Sequence, residues 1–193
     1  MTIAIKPTAS GATIEQNGST ILTVDGSGNI AIANDLTVTG NVPHQNNTPV
    51  VFAYLSADQS ISSGVWTKVA FDIERFDTNN FYDNATNYRF QPTIAGYYQI
   101  NTNVLPGGSS GSVSQINGII YKNGGRYAWF GYGEAANNNE GVVAGSTMAY
   151  LNGSTDYIEI YALSIATSPF FKGGNAASSD SYSTFSAHLV RAA

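Results

Sequence analysis

Apolar and polar residues alternate in short runs along most of the chain, and turn residues separate the runs. The clearest run is AGYYQINTNVL at 95–105. Successive side chains of a strand point to opposite faces, so Gly96, Tyr98, Ile100, Thr102 and Val104 are expected to share one face. This period of two predicts a half-buried strand.

A second alternation, DYIEIYA at 156–162, has the same period. It predicts that Ile158 and Ile160 point into a core. Tyr157, Glu159 and Tyr161 are then expected to face outward or to lie at an interface.

Two Asn-Gly pairs predict tight hairpins. Asn17-Gly18 separates the apolar runs of ATIEQNGSTILTV, and Asn123-Gly124 separates those of INGIIYKNGGRYAWF. Both positions of a type I′ turn need a positive φ, which Asn and Gly tolerate best.

Strand-like runs continue from residue 50 to the end of the chain, about 8–12 residues apart. The Gly-rich stretches at 107–111 and 173–174 read as loop tips. This spacing favours an all-β sandwich or jelly roll. Single strands are predicted at 50–56, 64–71, 88–92, 95–105 and 182–191. The run 116–130 holds the Asn123-Gly124 hairpin, and 145–164 holds two strands around NGSTD.

The pattern divides the chain into three parts. Residues 1–42 are short strands and turns, in which Leu22-Thr23-Val24 returns as Leu36-Thr37-Val38 ahead of a Gly and an Asn. Residues 43–49 (PHQNNTP) form a polar linker with a proline at each end. Residues 50–193 form the main domain, called the knob below.

Composition narrows the range of functions. Charged residues make up 11% of the chain, against about 25% in average proteins, so a helical surface rich in Lys and Glu is disfavoured. The net charge of −5 and the lack of a basic run argue against nucleic-acid and anionic-membrane partners. The chain has no cysteine, which excludes disulfides and thiolate chemistry.

Residues 71–100 resemble the signature of the C1q domain, the trimeric jelly roll shared with tumour-necrosis-factor ligands. Two departures are an extra residue between Tyr82 and Phe90 and an aliphatic residue at Ile100 where the family has an aromatic one. The matching positions are Phe71, Asp77, Tyr82, Phe90, Gly96, Tyr98 and Ile100.

Three later segments continue the resemblance up to about residue 191. IYKNGGR at 120–126 resembles the central hairpin of the family, and YLNGSTDYIEIYA at 150–162 resembles its paired strands. STFSAHLVR at 183–191 resembles the closing strand, with Phe185 and Leu189 at the apolar positions. The resemblance implies a C1q-like homotrimer with a non-enzymatic binding role.

The front segment resembles a different class of protein. Phrases such as TILTVDGSGNI followed by LTVTG are similar to those of bacteriophage virion proteins, especially fibre-like appendages. The resemblance implies that residues 1–42 attach the knob to other virion proteins. The location implied is the virion, and the start MTIAIKPTASG does not read as a signal peptide.

A lone ribbon of such short strands is marginally stable in water. Three copies around an axis are expected to bury their aliphatic side chains together, each worth roughly 1.5–3 kcal/mol. The predicted packing residues are Ile21, Val24, Ile30, Ile32, Leu36 and Val38.

The residue pattern does not indicate a catalytic site. His44 falls in the linker, and His188 alternates with the apolar residues of the last strand, so neither has partners for a dyad or a metal site. No nucleophile elbow or phosphate loop is present. We therefore predict that the protein is not an enzyme.

Two weaker candidate sites remain. Asp72, Asp77 and Asp83 lie beside an Asn-rich loop and are candidate calcium ligands, although their spacing matches no dedicated calcium loop and a solvated loop is the default. No other cofactor is indicated.

Tyr127, Trp129 and Tyr132 in RYAWFGYGE are candidate contacts for carbohydrate or protein. The competing interpretation places Trp129 and Phe130 alternately in the core and at an interface.

The sequence therefore predicts an all-β, C1q-like jelly roll behind an extended β segment, forming a homotrimer on a phage particle. Two positions on the particle fit this prediction: the trimer is a short fibre that binds a host receptor, or it decorates the capsid. The alternative is a free C1q-like adhesin or lectin, for which calcium dependence is an option.

Overall fold

The computed structural model describes residues 3–9, 11–33, 48–135, 139–174 and 180–193. The chain divides into two compact units, residues 1–45 and 46–193. None of the described residues is helical, and accordingly they include no helix of the length and hydropathy needed to cross a membrane.

The N-terminal unit is an antiparallel meander of four strands in the order β1-β2-β3-β4. Asn17 and Gly18 join β2 to β3 with φ angles of 51° and 81°, so the predicted hairpin is present. The repeat LTVTG at 36–40 lies outside the described residues. The strands are β1 (Ile3–Thr8), β2 (Gly11–Gln16), β3 (Ser19–Asp25) and β4 (Ile30–Ile32).

The knob contains twelve further strands among its described residues. The first six are β5 (Val50–Tyr54), β6 (Gln59–Ser60), β7 (Thr67–Lys68), β8 (Ile73–Asp77), β9 (Tyr82–Asp83) and β10 (Arg89–Phe90). The longer ones are β11 (Ala95–Val104), β12 (Pro106–Lys122), β13 (Gly125–Ala135), β14 (Val143–Asn152), β15 (Ile158–Phe171) and β16 (Thr184–Ala192).

The knob strands form two antiparallel sheets. The five-stranded sheet has the order β14-β11-β16-β5-β8. The seven-stranded sheet has the order β13-β12-β15-β10-β9, with β6 and β7 also paired to β15. Every neighbouring pair in the five-stranded sheet, and the pairs that β15 makes in the other sheet, join distant parts of the chain, as in a jelly roll.

The core lies between these two sheets and contains a cluster of aromatic rings. The ring of Phe185 lies 5.3 Å from Tyr82, 6.0 Å from Phe90 and 6.2 Å from Phe71, measured between centroids. Phe90 also meets Tyr98 edge-on at 5.3 Å. Of the predicted core residues, Leu189 is half-buried against this core. Apart from Gly96, the other predicted core residues are buried: Phe71, Tyr82, Phe90, Tyr98, Ile100, Ile158, Ile160 and Phe185.

Gly96 is a signature position whose size the structure explains. A Cβ atom built there would lie 2.4 Å from the carbonyl oxygen of Arg191. The closing strand therefore approaches the backbone of β11 too closely for a side chain.

Two predicted elements differ from the structure. The Gly-rich stretch 107–111 is not a loop tip but part of β12, where a Cβ at Gly108 would lie 2.6 Å from the Ala166 side chain. Glycine is used there for close packing rather than flexibility. The predicted strand 64–71 is reduced to Thr67–Lys68 because only that short stretch pairs with β15.

Glu159 lies on the predicted side of its strand but is buried there. It points away from the core, yet it is only 7% exposed, because Lys68 on β7 covers that side of the sheet. The Lys68 ammonium lies 2.5 Å from its carboxylate and also donates to the Asn87 carbonyl oxygen at 3.1 Å. Burial of this carboxylate is thus compensated by a charged partner.

Candidate binding surfaces

The outward face of the five-stranded sheet, called the outward face below, carries two separate apolar patches. Tyr97 and Tyr150 pair across β11 and β14, with ring centroids 5.4 Å apart, and Met148 follows on β14. At the other edge Phe52 and Phe76 pair across β5 and β8 at 5.9 Å.

Polar residues separate the two patches. Gln99 pairs with His188, and Asn101 with Ser186, in the middle of the outward face. Tyr97, Met148, Tyr150 and Phe76 are all more than two-fifths exposed. Large apolar side chains grouped in this way are typical of an association surface.

The seven-stranded sheet carries a second surface, which we call the tryptophan platform: Trp66, Asn117, Arg126, Trp129 and Tyr132. The Trp66 and Trp129 rings meet edge-on at 5.5 Å, and the Arg126 guanidinium lies over Trp66 at 5.4 Å. Trp129 is 55% exposed and Tyr132 72% exposed. The platform offers open aromatic faces beside a cation.

A bulge in β13 brings Tyr132 onto the platform. Trp129 pairs with Ile119, while Tyr132 pairs with Asn117, two residues earlier on β12. Phe130 lies in the register shift between them, and its side chain is buried. One extra residue therefore turns Trp129 and Tyr132 to the same side of the sheet.

Asn117 gives the platform an unsatisfied acceptor. Its side chain is buried, and its Oδ1 atom has no hydrogen-bond partner among the residues that the structure describes. An unpaired buried oxygen of this kind costs roughly 1–3 kcal/mol.

Tyr127 belongs elsewhere. It falls in a second register shift of β13, and its hydroxyl donates to the carbonyl oxygen of Met148 on β14, at 3.0 Å. The structure thus brings Trp129 and Tyr132 together but directs Tyr127 towards the other sheet. Trp66 and Asn117 were missed because they are distant in sequence from Trp129 and approach it only through the pairing of β15 with β7 and β12, and of β12 with β13. Arg126 was missed because its aromatic partner is Trp66.

The acidic candidates are engaged in local hydrogen bonds. Asp72 accepts from the backbone N–H of Ser56 at 2.8 Å. Asp77 accepts from the N–H of Tyr82 at 2.7 Å. Asp83 accepts from the N–H of Thr86 at 2.8 Å, and this bond is the main cause that lowers the pKa of Asp83 to about 2.

No three potential metal-ligating side chains come together within the part of the chain that the structure describes. Asp83 instead lines an open polar groove of about 460 Å³ together with Tyr82, Arg89 and Gln91. Burial, with the nearby charges of Asp77 and Asp83, raises the pKa of Glu74. The described carboxylates of this region thus lie near one another, but no three of them are placed to bind one metal ion.

The remaining candidates lie as follows. His188 is exposed on β16, whereas His44 lies outside the described residues. In the N-terminal unit Ile21 and Val24 are half-buried, and Ile30 and Ile32 are exposed. Leu36 and Val38 lie outside the described residues.

Comparison with known proteins identifies the fold. No family model and no curated protein matches the chain. Among solved structures, the globular domain of zebrafish complement 1qA protein matches with 12% identity and a TM-score of 0.52, covering 75% of this chain and 99% of that one. Murine APRIL at pH 5.0 matches with 9% identity and a TM-score of 0.53, covering 75% and 100%. The chain therefore has the jelly-roll fold of the C1q and tumour-necrosis-factor domains.

Proposed function

We propose that the knob is a non-enzymatic binding domain that assembles as a homotrimer through its outward face. The two apolar patches at opposite edges of that face carry the proposal. A contact between two different patches is heterologous, and successive heterologous contacts close into a ring of three when each copy is rotated by a third of a turn from the last. The patch of Tyr97, Met148 and Tyr150 then packs on the Phe52 and Phe76 patch of the next copy.

Sedimentation of the full chain tests the trimer. The wild-type protein is expected to sediment as a trimer at micromolar concentration. The double variant Met148→Asp/Tyr150→Asp should sediment as a monomer, because a carboxylate within an apolar contact is left without a partner. The control Tyr132→Asp, on the other sheet, should remain trimeric. A monomeric wild-type protein would contradict the proposal.

We further propose that this trimer is a bacteriophage virion-surface protein, held by residues 1–42 to other virion proteins. The support is the likeness of the doubled LTV phrase to phage structural proteins. A particle assembled with a variant lacking residues 1–42 should lose the knob. Full incorporation of that variant would show that residues 1–42 do not attach it.

The position on the particle decides between two roles. A short fibre would present the tryptophan platform to a host receptor, and a capsid-decorating trimer has no need of such a surface. The open rings of Trp129 and Tyr132 favour the fibre, because exposed Trp and Tyr are typical anchors of protein and carbohydrate contacts.

Purified protein should block phage adsorption to host cells if it binds the receptor. The double variant Trp129→Ala/Tyr132→Ala should block at least tenfold less well. Blocking by neither protein, together with immunogold labelling of the head, would assign the decorating role.

A free adhesin or lectin is the second candidate, and the platform also favours it. The two candidates differ in where the protein is found. Labelling of the producing cell surface, with none on particles, would select the free adhesin. Loss of ligand binding on calcium chelation would reveal calcium dependence in either case.

A further inference from the structure

The N-terminal unit is a single sheet whose apolar residues lie unburied. Within residues 4–9 and 11–33, every side chain is half-buried or exposed. Ile5 is 73% exposed and Ile30 63% exposed. One layer of four short strands is not expected to be stable with an apolar face in water.

The strand register places these apolar residues in two rows. Ile5 pairs with Ile14, Ile14 with Leu22, and Leu22 with Ile32. One aliphatic row thus crosses all four strands. The bulge that leaves Ile21 unpaired in β3 keeps Leu22 in this row.

The second row runs parallel to the first. Pro7 pairs with Ala12, Ala12 with Val24, and Val24 with Ile30. Each member lies two residues from a member of the first row on its own strand, so both rows lie on one side of the sheet. We call this side the aliphatic face: Ile5, Pro7, Ala12, Ile14, Leu22, Val24, Ile30 and Ile32.

The opposite side of the sheet, the polar face, holds the charges. Lys6 pairs with Thr13, and Thr13 with Thr23. The Lys6 ammonium lies 2.5 Å from the Glu15 carboxylate, and Asp25 pairs with Gly11 on the same side. The aliphatic face therefore carries none of the three charged residues of 3–33.

We propose that the aliphatic faces of three copies of this chain pack on one another and close a three-sided stem. This inference rests on the proposed trimeric knob. Identical faces without charge meet without repulsion. The four strands have six, six, seven and three residues. At about 4.8 Å spacing and 3.3 Å per residue, each face covers roughly 350 Å², an area typical of an interaction patch.

The trimeric knob explains why each aliphatic face would be covered by copies of the same chain. Residues 34–47 span at most about 50 Å, so a trimeric knob keeps three sheets within reach of one another. Such tethering raises the effective concentration to about the millimolar range. The polar face then lies outside the stem, and contact with a particle would use that face.

The chain has no cysteine, so single engineered cysteines report which face meets a copy. Ile14→Cys lies on the aliphatic face, and the control Thr13→Cys is the adjacent residue on the polar face. Packed sheets lie about 10 Å apart, so a bismaleimide of similar span should join two chains of one stem. The full chain is treated at low micromolar concentration and analysed on a denaturing gel.

Ile14→Cys should give at least tenfold more linked dimer than Thr13→Cys. Leu22→Cys, with Thr23→Cys as its control, should give the same contrast and guards against misfolding of one variant. Equal linking of both faces would overturn the proposal. Protection of the Ile14→Cys thiol from the reagent without linking would also overturn it, since something other than a copy would then cover the face.

Sedimentation of the same samples separates the two proposals. A trimer without linking on the aliphatic face would overturn the stem and leave the trimeric knob intact. A monomer would mean that the trimeric knob itself is wrong.

Discussion

The knob and the N-terminal sheet follow the same alternation of apolar and polar residues but bury it differently. In the knob the inward residues of one sheet meet those of a second sheet, and Phe90, Tyr98 and Phe185 are fully enclosed. In the N-terminal unit the aliphatic face of Ile5, Ile14 and Leu22 has no second layer among the described residues of that unit. A period of two predicts that a face is covered; it does not say whether the same chain covers it.

The largest expected difference between the two regions comes from deleting an apolar side chain in each. Phe90→Ala should lower the free energy of unfolding of the knob by about 4 kcal/mol, because it opens a cavity among Tyr98, Phe81 and Phe185. Ile14→Ala should change the free energy of unfolding of the knob by less than about 1 kcal/mol.

Tryptophan fluorescence during denaturant unfolding, at one protein concentration, measures the first effect. Both tryptophans, Trp66 and Trp129, belong to the knob, so the signal reports that unit alone. An equal shift for Ile14→Ala would contradict the independence of the knob core.

A smaller difference in stability is expected between two ion pairs, one in each region. Glu159→Gln should cost the knob about 2 kcal/mol, because the half-buried Lys68 ammonium loses a charged acceptor at 2.5 Å. Glu15→Gln removes the partner of Lys6, whose side chain is 59% exposed, and should change stability by at most about 0.5 kcal/mol. Thermal unfolding of both variants compares the two losses of stability. A larger loss for Glu15→Gln than for Glu159→Gln would contradict the prediction.

The smallest effect concerns Tyr98 and high pH. Its hydroxyl donates to the carbonyl oxygen of Ile94 at 2.9 Å, so Tyr98→Phe should cost about 1 kcal/mol at pH 7. Burial raises the pKa of Tyr98 to about 12, above the value near 10 of an unfolded chain. The unfolded form therefore loses its proton first, and stability falls as pH rises from about 10 to 12.

Unfolding free energies measured from pH 9 to 12 test this sign. Tyr98→Phe should make the decline shallower without abolishing it, because burial also raises the pKa of Tyr82. An unchanged slope for Tyr98→Phe would show that Tyr98 does not contribute to it.

Local features of the fold were predictable from the sequence. The inward set of β11, from Gly96 to Val104, follows from alternation alone. The turns at Asn17-Gly18 and Asn123-Gly124 follow from the demand for positive φ. The jelly-roll assignment needed the spaced aromatic signature as well.

Features that depend on pairing between distant strands were not predictable. Glu159 was predicted to face outward or to lie at an interface, and its burial was missed because its partner Lys68 precedes it by 91 residues. The platform residues Trp66 and Asn117 meet Trp129 and Tyr132 through the pairing of β7 with β15 and the register shift at Phe130. The predicted stem set omitted Ile5, Ile14 and Leu22 because the rows appear only once the bulge at Ile21 fixes the register of β3.

Hydrogen–deuterium exchange tests the difference between the two regions most directly. The full wild-type chain is compared with Met148→Asp/Tyr150→Asp, which is expected to be monomeric. Strands β2 and β3 should be protected in the trimer and should exchange much faster in the monomer, while β11 and β15 of the knob stay protected in both. Equal protection of β2 and β3 in trimer and monomer would contradict the account, because the N-terminal sheet would then be stable without its copies.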